Sequence, residues 1–235
     1  MIERKISAPK YEMSELLRHL SRITEDGGQR IPPLSQLSKD MGISVASLRE
    51  QLEVARLLGI VEIKPKAGIH KNTYSLKPAV LASLTYAVES NSQWFKHLSD
   101  LRKHLEAAYF IEAVQLLATA DIEHLVLLNK KAQEKIRSIP TQLPNSEHRE
   151  FHLGIYKRLP NPFVLSILEV YWDLYRSTGL EIYPDLTYID RVWQYHQRII
   201  DAIRHGNVSQ GLQILIEHMD LISQRERSAP RLSFE

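Results

Sequence analysis

Four of the ten histidines have types and spacing that could do chemistry. His148 and His152 stand four apart in H148-R-E-F-H152, which puts both on one face of a helix. His196 shares a helical stripe with Ile189, Val192, Trp193, Ile199, Ile200 and Ile203. His218 shares another with Ile214, Leu215, Leu221 and Ile222. Three helices therefore aim imidazole into positions that otherwise read as core. A single inward histidine is ordinarily a core side chain with a hydrogen-bond partner. Four on three helices are costly to bury one by one, and a shared divalent metal accounts for all of them together. Imidazole ligation favours zinc, nickel, copper or cobalt over magnesium or calcium, and zinc or nickel is the expected occupant.

The same motif speaks against hydrolysis. A zinc protease needs H-E-x-x-H, with the Glu as general base. Here Glu150 is at the third position and points away from the ligand face. The chain has no nucleophile motif, no Gly-rich phosphate loop and no cysteine. A metal is therefore expected to hold a ligand. Arg102 lies on one stripe with Leu98, Leu105 and Tyr109, and an Arg among apolar neighbours needs an anion. Two partners stay open at this level. One is Glu106, four residues on; the other is the carboxylate of an effector bound beside the metal. His97 and His104 fall on the polar side, and His205 ends a helix where a cation suits the dipole.

The elements that must position these residues follow from composition and pattern. With 235 residues, 43% hydrophobic and 25% charged, the chain has globular composition and a length that predicts two domains. The absence of Cys excludes a disulfide framework and thiolate ligands. MIERKISAPK lacks the apolar core of a signal peptide, and no apolar run nears the ~20 residues of a membrane span, so a soluble, cytoplasmic protein is expected. The net charge of +2 hides an asymmetry. Residues 1–78 hold 13 Lys and Arg against 9 Asp and Glu, whereas eight of the ten His lie beyond them.

Residues 1–78 read as a winged helix-turn-helix. Helices are predicted over 11–26, ended by Gly27-Gly28, then over 34–41, stopped by Gly42, and over 45–58, capped by Ser44 and closed by Gly59. Strands follow at 60–63 and 69–76, joined by a KPKAG turn. Residues 79–235 read as an all-α antiparallel helical bundle, with helices at 79–91, 94–117, 120–138, 146–158, 162–178, 186–204 and 208–227. Asn161-Pro162 and Pro184-Asp185 mark two helix starts, and Asn207 with Gln210 resembles a capping box. The fold class is thus mainly α. The second helix of a helix-turn-helix enters the major groove by its N-terminal residues. Leu48, Leu52 and Ala55 form its buried stripe, which leaves Val45, Ser47 and Arg49 nearer the groove. Ser44 and Ser47 can bond phosphates or base edges, and Arg49 can clamp a phosphate or a guanine. Lys64, Lys66, His70 and Lys71 decorate the wing, where minor-groove or phosphate contacts are expected.

IPPLSQLSKDMGISVASLREQLEVARLLGIVEIKPKAG resembles the GntR-family pattern, matching it at Pro32, Leu37, Gly42, Ser44, Arg49, Glu50, Leu52, Leu58, Gly59 and Gly68. The family often has Arg where this chain has Ser35 and Val45, both positions that commonly meet DNA. LSDLRKHLEAAYFIEA looks like the opening helix of the FCD ligand-sensing domain attached to many such regulators. That family carries Asp-x-x-x-His before an Asn-Pro turn, then one His on each of the last two helices. Here these positions hold His148, His152, Asn161-Pro162, His196 and His218. The departure is His148 in place of Asp. It implies four imidazoles without a carboxylate, and so a changed metal choice, a site charge raised by one, or lost metal binding.

The resemblance implies a bacterial transcription regulator. It would bind a pseudo-palindromic double-stranded operator as a homodimer and sense a small carboxylate effector through a divalent metal, with repression as the family habit. Two alternatives stand beside it: a metal-dependent enzyme that kept a vestigial winged helix, and a DNA-binding protein whose helical domain only dimerises.

Overall fold

The computed structural model describes residues 12–23, 28–177 and 186–228, without the side chains of 177 and 222–228. The predicted first-helix residues 11 and 24–26, its Gly27 stop, residue 178, the Pro184-Asp185 start and the side chain of Ile222 lie outside that set. The chain divides into two compact units, residues 1–82 and 83–235.

The first unit is built from α1 (Glu15–Ser21), β1 (Arg30–Ile31), α2 (Leu34–Met41), α3 (Val45–Leu57), β2 (Val61–Lys64) and β3 (Gly68–Lys71). Ser14 caps α1 by accepting from the Leu17 N–H at 3.3 Å. Ser44 caps α3 by accepting from Ser47 N–H at 3.2 Å. Gly42 ends α2 in the left-handed conformation at φ 69°, which a glycine adopts without a Cβ clash. Leu16, Leu17 and Leu20 of α1 meet Leu37, Leu48, Leu52 and Ala55 in one core closed by Ile31 and Val61 of the sheet. Gln51 of α3 adds a cross-helix bond, its Oε1 accepting from Leu16 N–H at 2.8 Å.

The sheet has three strands, ordered β1-β3-β2 and antiparallel throughout. Val61 pairs with Lys71, Ile63 with Ile69, and Arg30 with His70. The pattern in the sequence predicts two strands only. β1 has two residues, too few for an alternating period to show, and exists because β3 offers it a ladder. The second predicted strand stops at Lys71, and Asn72 turns away with its Nδ2 donating to Gly59 O at 3.0 Å.

Gly59 carries two constraints at once. Its φ is 72°, and a Cβ there would lie 2.4 Å from Pro78 Cγ, inside van der Waals contact with a rigid ring. Pro78 sits in the first turn of α4 (Lys77–Ser90), so the division between the units falls inside that helix, beyond residue 78. Gly59→Ala is expected to destabilise the first unit by at least about 1–2 kcal/mol from the left-handed backbone alone, with the displacement of Pro78 in addition. Chemical denaturation of the full chain followed by far-UV circular dichroism checks this, and an unchanged midpoint would refute it.

The second unit holds the rest of α4 and six further helices: α5 (Gln93–Gln115), α6 (Thr119–Arg137), α7 (Asn145–Tyr156), α8 (Pro162–Ser177), α9 (Leu186–Arg204) and α10 (Val208–Ser228). α8 starts as its sequence requires, with Pro162 as first residue and Asn161 Oδ1 accepting from Phe163 N–H at 3.1 Å. α9 and α10 form an antiparallel hairpin through Gly206. α5 packs on α7, α8 and α10, while α6 packs on α7 and α9. Asp121 clamps the start of α6 to the end of α7, accepting from Ala118 N–H at 2.8 Å and pairing with Lys157 and Arg158. Phe110, Phe151, Ile155, Tyr156, Leu168, Tyr171, Ile199 and Leu215 are buried around the centre of this bundle.

Candidate metal centre and nucleic-acid interface

α7, α9 and α10 deliver the four histidines to one point. His152, His196 and His218 are fully buried, His148 is half-buried, and their candidate ligand atoms all lie within 4.8 Å of one another. Three Nε2 atoms make a nearly equilateral triangle, with edges of 3.3 Å (His196–His152), 3.2 Å (His152–His218) and 3.2 Å (His196–His218). Aromatic walls hold the rings. Phe151 stacks on His196 at 4.1 Å, Trp193 meets it edge-on at 4.6 Å, and Trp172 meets His148 edge-on at 4.8 Å.

Behind this triangle runs a buried polar chain. Glu106 of α5 accepts from His152 Nδ1–H at 2.8 Å and from Arg102 Nε–H at 2.5 Å. Tyr156 O–H donates to the Glu106 backbone carbonyl at 2.9 Å. Donation from Nδ1 makes the His152 Nε2 a bare lone pair facing the triangle. The Arg102 guanidinium lies over the rings of Tyr171 and Trp172 at 4.4 and 4.5 Å. Of the two partners left open for Arg102 by the sequence, the structure shows Glu106. The Arg102 Nε is held by Glu106, while its Nη2 is buried without a hydrogen-bond partner.

Electrostatics favours a cation among the imidazoles. Burial holds all four histidines well below their ordinary value of 6.5; neighbouring histidines add to the effect at His148, His196 and His218, and Arg102 adds to it at all four. They therefore stay neutral and keep their lone pairs. Burial likewise pushes the Glu106 carboxyl up, while Arg102 pulls it back. Burial works against the Arg102 charge, but Glu106 and Tyr171 hold it protonated. At 3.2–3.3 Å these three nitrogens can share N–H···N bonds only in pairs, whereas a cation between them lets all three lone pairs point inward at once. An ion ~2.1 Å from each would subtend about 100° per pair, between tetrahedral and octahedral angles. The donor set fits a first-row divalent metal, and the Glu106–His152 pair fits the carboxylate–histidine arrangement that orients such ligands.

Glu106 escaped the sequence reading as anything but an ion-pair partner. The available signal was its i,i+4 relation to Arg102, which could not show the bond to His152, 46 residues on. Trp172 was missed altogether; its indole Nε1 is buried without a partner beside the Arg102 guanidinium.

In the first unit, Ser44 and Arg49 are exposed, while Val45 and Ser47 are half-buried at the start of α3. The Ser44 hydroxyl is engaged as the cap, and Ser47 Oγ accepts from Gln51 Nε2 at 3.2 Å. Ser35 is exposed in the first turn of α2. On the wing, Lys64 pairs with Glu62 at 2.7 Å and Lys66 is exposed at φ 63° in the turn. His70 is half-buried on β3 with Nδ1 unpartnered. Lys71 requires a correction. It faces inward, is 9% exposed, and its ammonium donates to Ile23 O at 2.6 Å, tying the end of β3 to the segment after α1. Strand alternation puts neighbours 70 and 71 on opposite faces, so both could not serve one surface.

Among the described residues no helix is long and apolar enough to cross a membrane. Residues 97–221 match the FCD domain family model. The chain is 23% identical over 199 residues to the HTH-type transcriptional regulator LutR of Bacillus subtilis (strain 168), covering 82% of this chain and 89% of that one. Its fold is similar to that of Streptococcus agalactiae GntR, with a TM-score of 0.64 at 19% identity over 91% of this chain and 96% of the other. A transcriptional regulator GntR from Rhodococcus sp. RHA1, described as putative, gives 0.50 at 14% identity over 87% and 89%. These matches are to proteins named as regulators, which speaks against the vestigial-enzyme alternative. With the histidine-bearing bundle matched over more than half the chain and a winged helix ahead of it, the chain belongs to the FCD family of GntR-type DNA-binding transcription regulators.

Proposed function

We propose that this regulator senses a small carboxylate through a divalent metal held by His148, His152, His196 and His218. The observation that carries the reading is Arg102 Nη2, a permanently charged donor buried without a partner, on a side chain linked through Glu106 to His152 of the imidazole triangle. A carboxylate effector held by such an ion would also offer this guanidinium the anion it lacks. Zinc or nickel suits four nitrogen ligands, and a metal able to exceed four ligands leaves a place for an effector oxygen. The ion would supply Lewis acidity for holding the effector oxygen; the chain's own residues orient and desolvate it.

As a homodimer, the protein would place two winged helices on a pseudo-palindromic operator, each α3 in a major groove. Repression is the proposed direction. Effector binding shifts operator affinity to the extent that the effector prefers one arrangement of the two heads. The test is operator affinity of metal-loaded protein, on a duplex enriched from a random library, with and without carboxylates. Release of the duplex supports the reading. A helical domain that binds neither metal nor carboxylate and yet holds two chains together would leave only dimerisation.

Arg49 is exposed near the start of α3, and Ser35, Ser44, Val45, Ser47, Lys64, Lys66 and His70 complete the proposed DNA-facing set. Arg49→Ala is expected to weaken operator binding by about 1–3 kcal/mol if it reads a base, or to lower the salt slope by about one if it meets phosphate. Fluorescence anisotropy at several salt concentrations decides between these. Identical curves for the two proteins would remove Arg49 from the interface.

A further inference from the structure

Building on the metal-and-carboxylate reading, we propose that the effector is a dianion, a dicarboxylate, and that His148 is the residue that sets this preference. Its two charges match a site in which, among the described residues, the protein supplies no ligand carboxylate. All four candidate ligands are imidazoles. Among the described residues the buried charges beside them are Arg102 and Glu106, which cancel as a 2.5 Å pair. Arg149, next to His148 in the chain, pairs with Asp173 at 3.5 Å. A divalent ion among the four imidazoles therefore keeps its full double charge inside an apolar bundle. An uncompensated buried charge is expensive, so the ligand that completes the site must bring two negative charges.

Two buried donors near the histidines support the same reading. Arg102 and Trp172 are each 2% exposed, the guanidinium lies 4.5 Å over the indole, and Arg102 Nη2 and Trp172 Nε1 both lack hydrogen-bond partners. Trp172 also packs edge-on against His148 at 4.8 Å. A monocarboxylate that gives one oxygen to the ion and one to Arg102 leaves the indole N–H unpaired. A second carboxylate supplies the missing acceptor.

The experiment is calorimetric titration of the nickel- or zinc-loaded full chain at pH 7.5 and fixed ionic strength. Oxalate, malonate and succinate are compared with acetate and glycolate, and metal content is measured on every sample. The best dicarboxylate is expected to bind at least about tenfold tighter than either monocarboxylate. His148→Asp places one negative charge among the ligands. It is expected to keep its metal and to lose at least about tenfold of that preference, the loss falling on the dicarboxylates. Trp172→Phe retains the ring and removes the N–H, so it is expected to weaken the dicarboxylate while leaving the monocarboxylates as they were. Monocarboxylates binding as tightly as dicarboxylates to the unmodified protein would overturn the proposal. So would a preference that survives both substitutions. If the ion binds and no carboxylate of either kind does, the underlying effector reading fails along with it; carboxylate binding without charge preference defeats the dianion alone.

Discussion

Nickel or zinc at a thousand times its dissociation constant is expected to raise the unfolding free energy of this protein by about 4 kcal/mol, and a chelator to remove the gain. His152→Ala should abolish most of it. Structural zinc sites are worth about 10–16 kcal/mol over four ligands, so losing one ligand costs about 3 kcal/mol, or more than a hundredfold in affinity. His152 is the most telling position because it is both a corner of the triangle and the side chain held by Glu106. The metal-free protein carries a pH signature of its own. Burial depresses all four imidazoles in the folded state, while in the unfolded chain they titrate near 6.5. Below about pH 6.5 the unfolded chain therefore binds more protons than the folded one. Stability present above that value is lost as pH falls, by up to about 1.4 kcal/mol per pH unit for each histidine. Protons also compete for the metal, so the loaded protein should fall more steeply still. Denaturation curves at pH 7.5, 6.5 and 5.5, with metal and with chelator, measure both effects. Equal stability with and without metal at pH 7.5 would eliminate the metal centre, and a flat chelated profile would show that the imidazoles are not buried neutral.

The second large effect is expected at Arg102, where the geometry dictates how the substitution must be made. Arg102→Met alone strands the fully buried Glu106 carboxylate beside His152, and breaking a buried pair by removing one member costs about 3–5 kcal/mol. The paired change Arg102→Met with Glu106→Gln avoids this. The methionine fills the space over Tyr171 and Trp172, and the glutamine oxygen still accepts from His152 Nδ1–H. The double variant is expected to fold and to bind metal about 10–100-fold more weakly, as for the loss of an outer-shell carboxylate. It should show no release of operator at any carboxylate concentration that acts on the unmodified protein. Calorimetry for metal and anisotropy for the duplex read the two effects separately. A double variant that responds to carboxylate as before would reduce Arg102 to half of a structural ion pair.

Much of this molecule is written in local pattern. Periodicities and end signals place α3, α8, α9 and α10 to within a residue or two, because Ser44, Asn161-Pro162 and Gly206 act on their own helix ends, within a few residues. The histidine set is legible for the same reason: an imidazole on an apolar stripe is inward whatever the stripe packs against. What a stripe cannot report is its partner. Lys71 is named with Lys64, Lys66 and His70 by composition, but the carbonyl it donates to belongs to Ile23, 48 residues earlier. β1 exists only as an edge to β3. Glu106 looks like one half of a helix-surface ion pair until α7 is laid against α5 and brings His152 to its other oxygen. The unpartnered donors of Arg102 and Trp172 are likewise a property of the packed bundle. Whether a polar atom is satisfied depends on every element around it, and that is decided when the helices close, since periodicity encodes a buried face and only tertiary contact assigns what lies across from it.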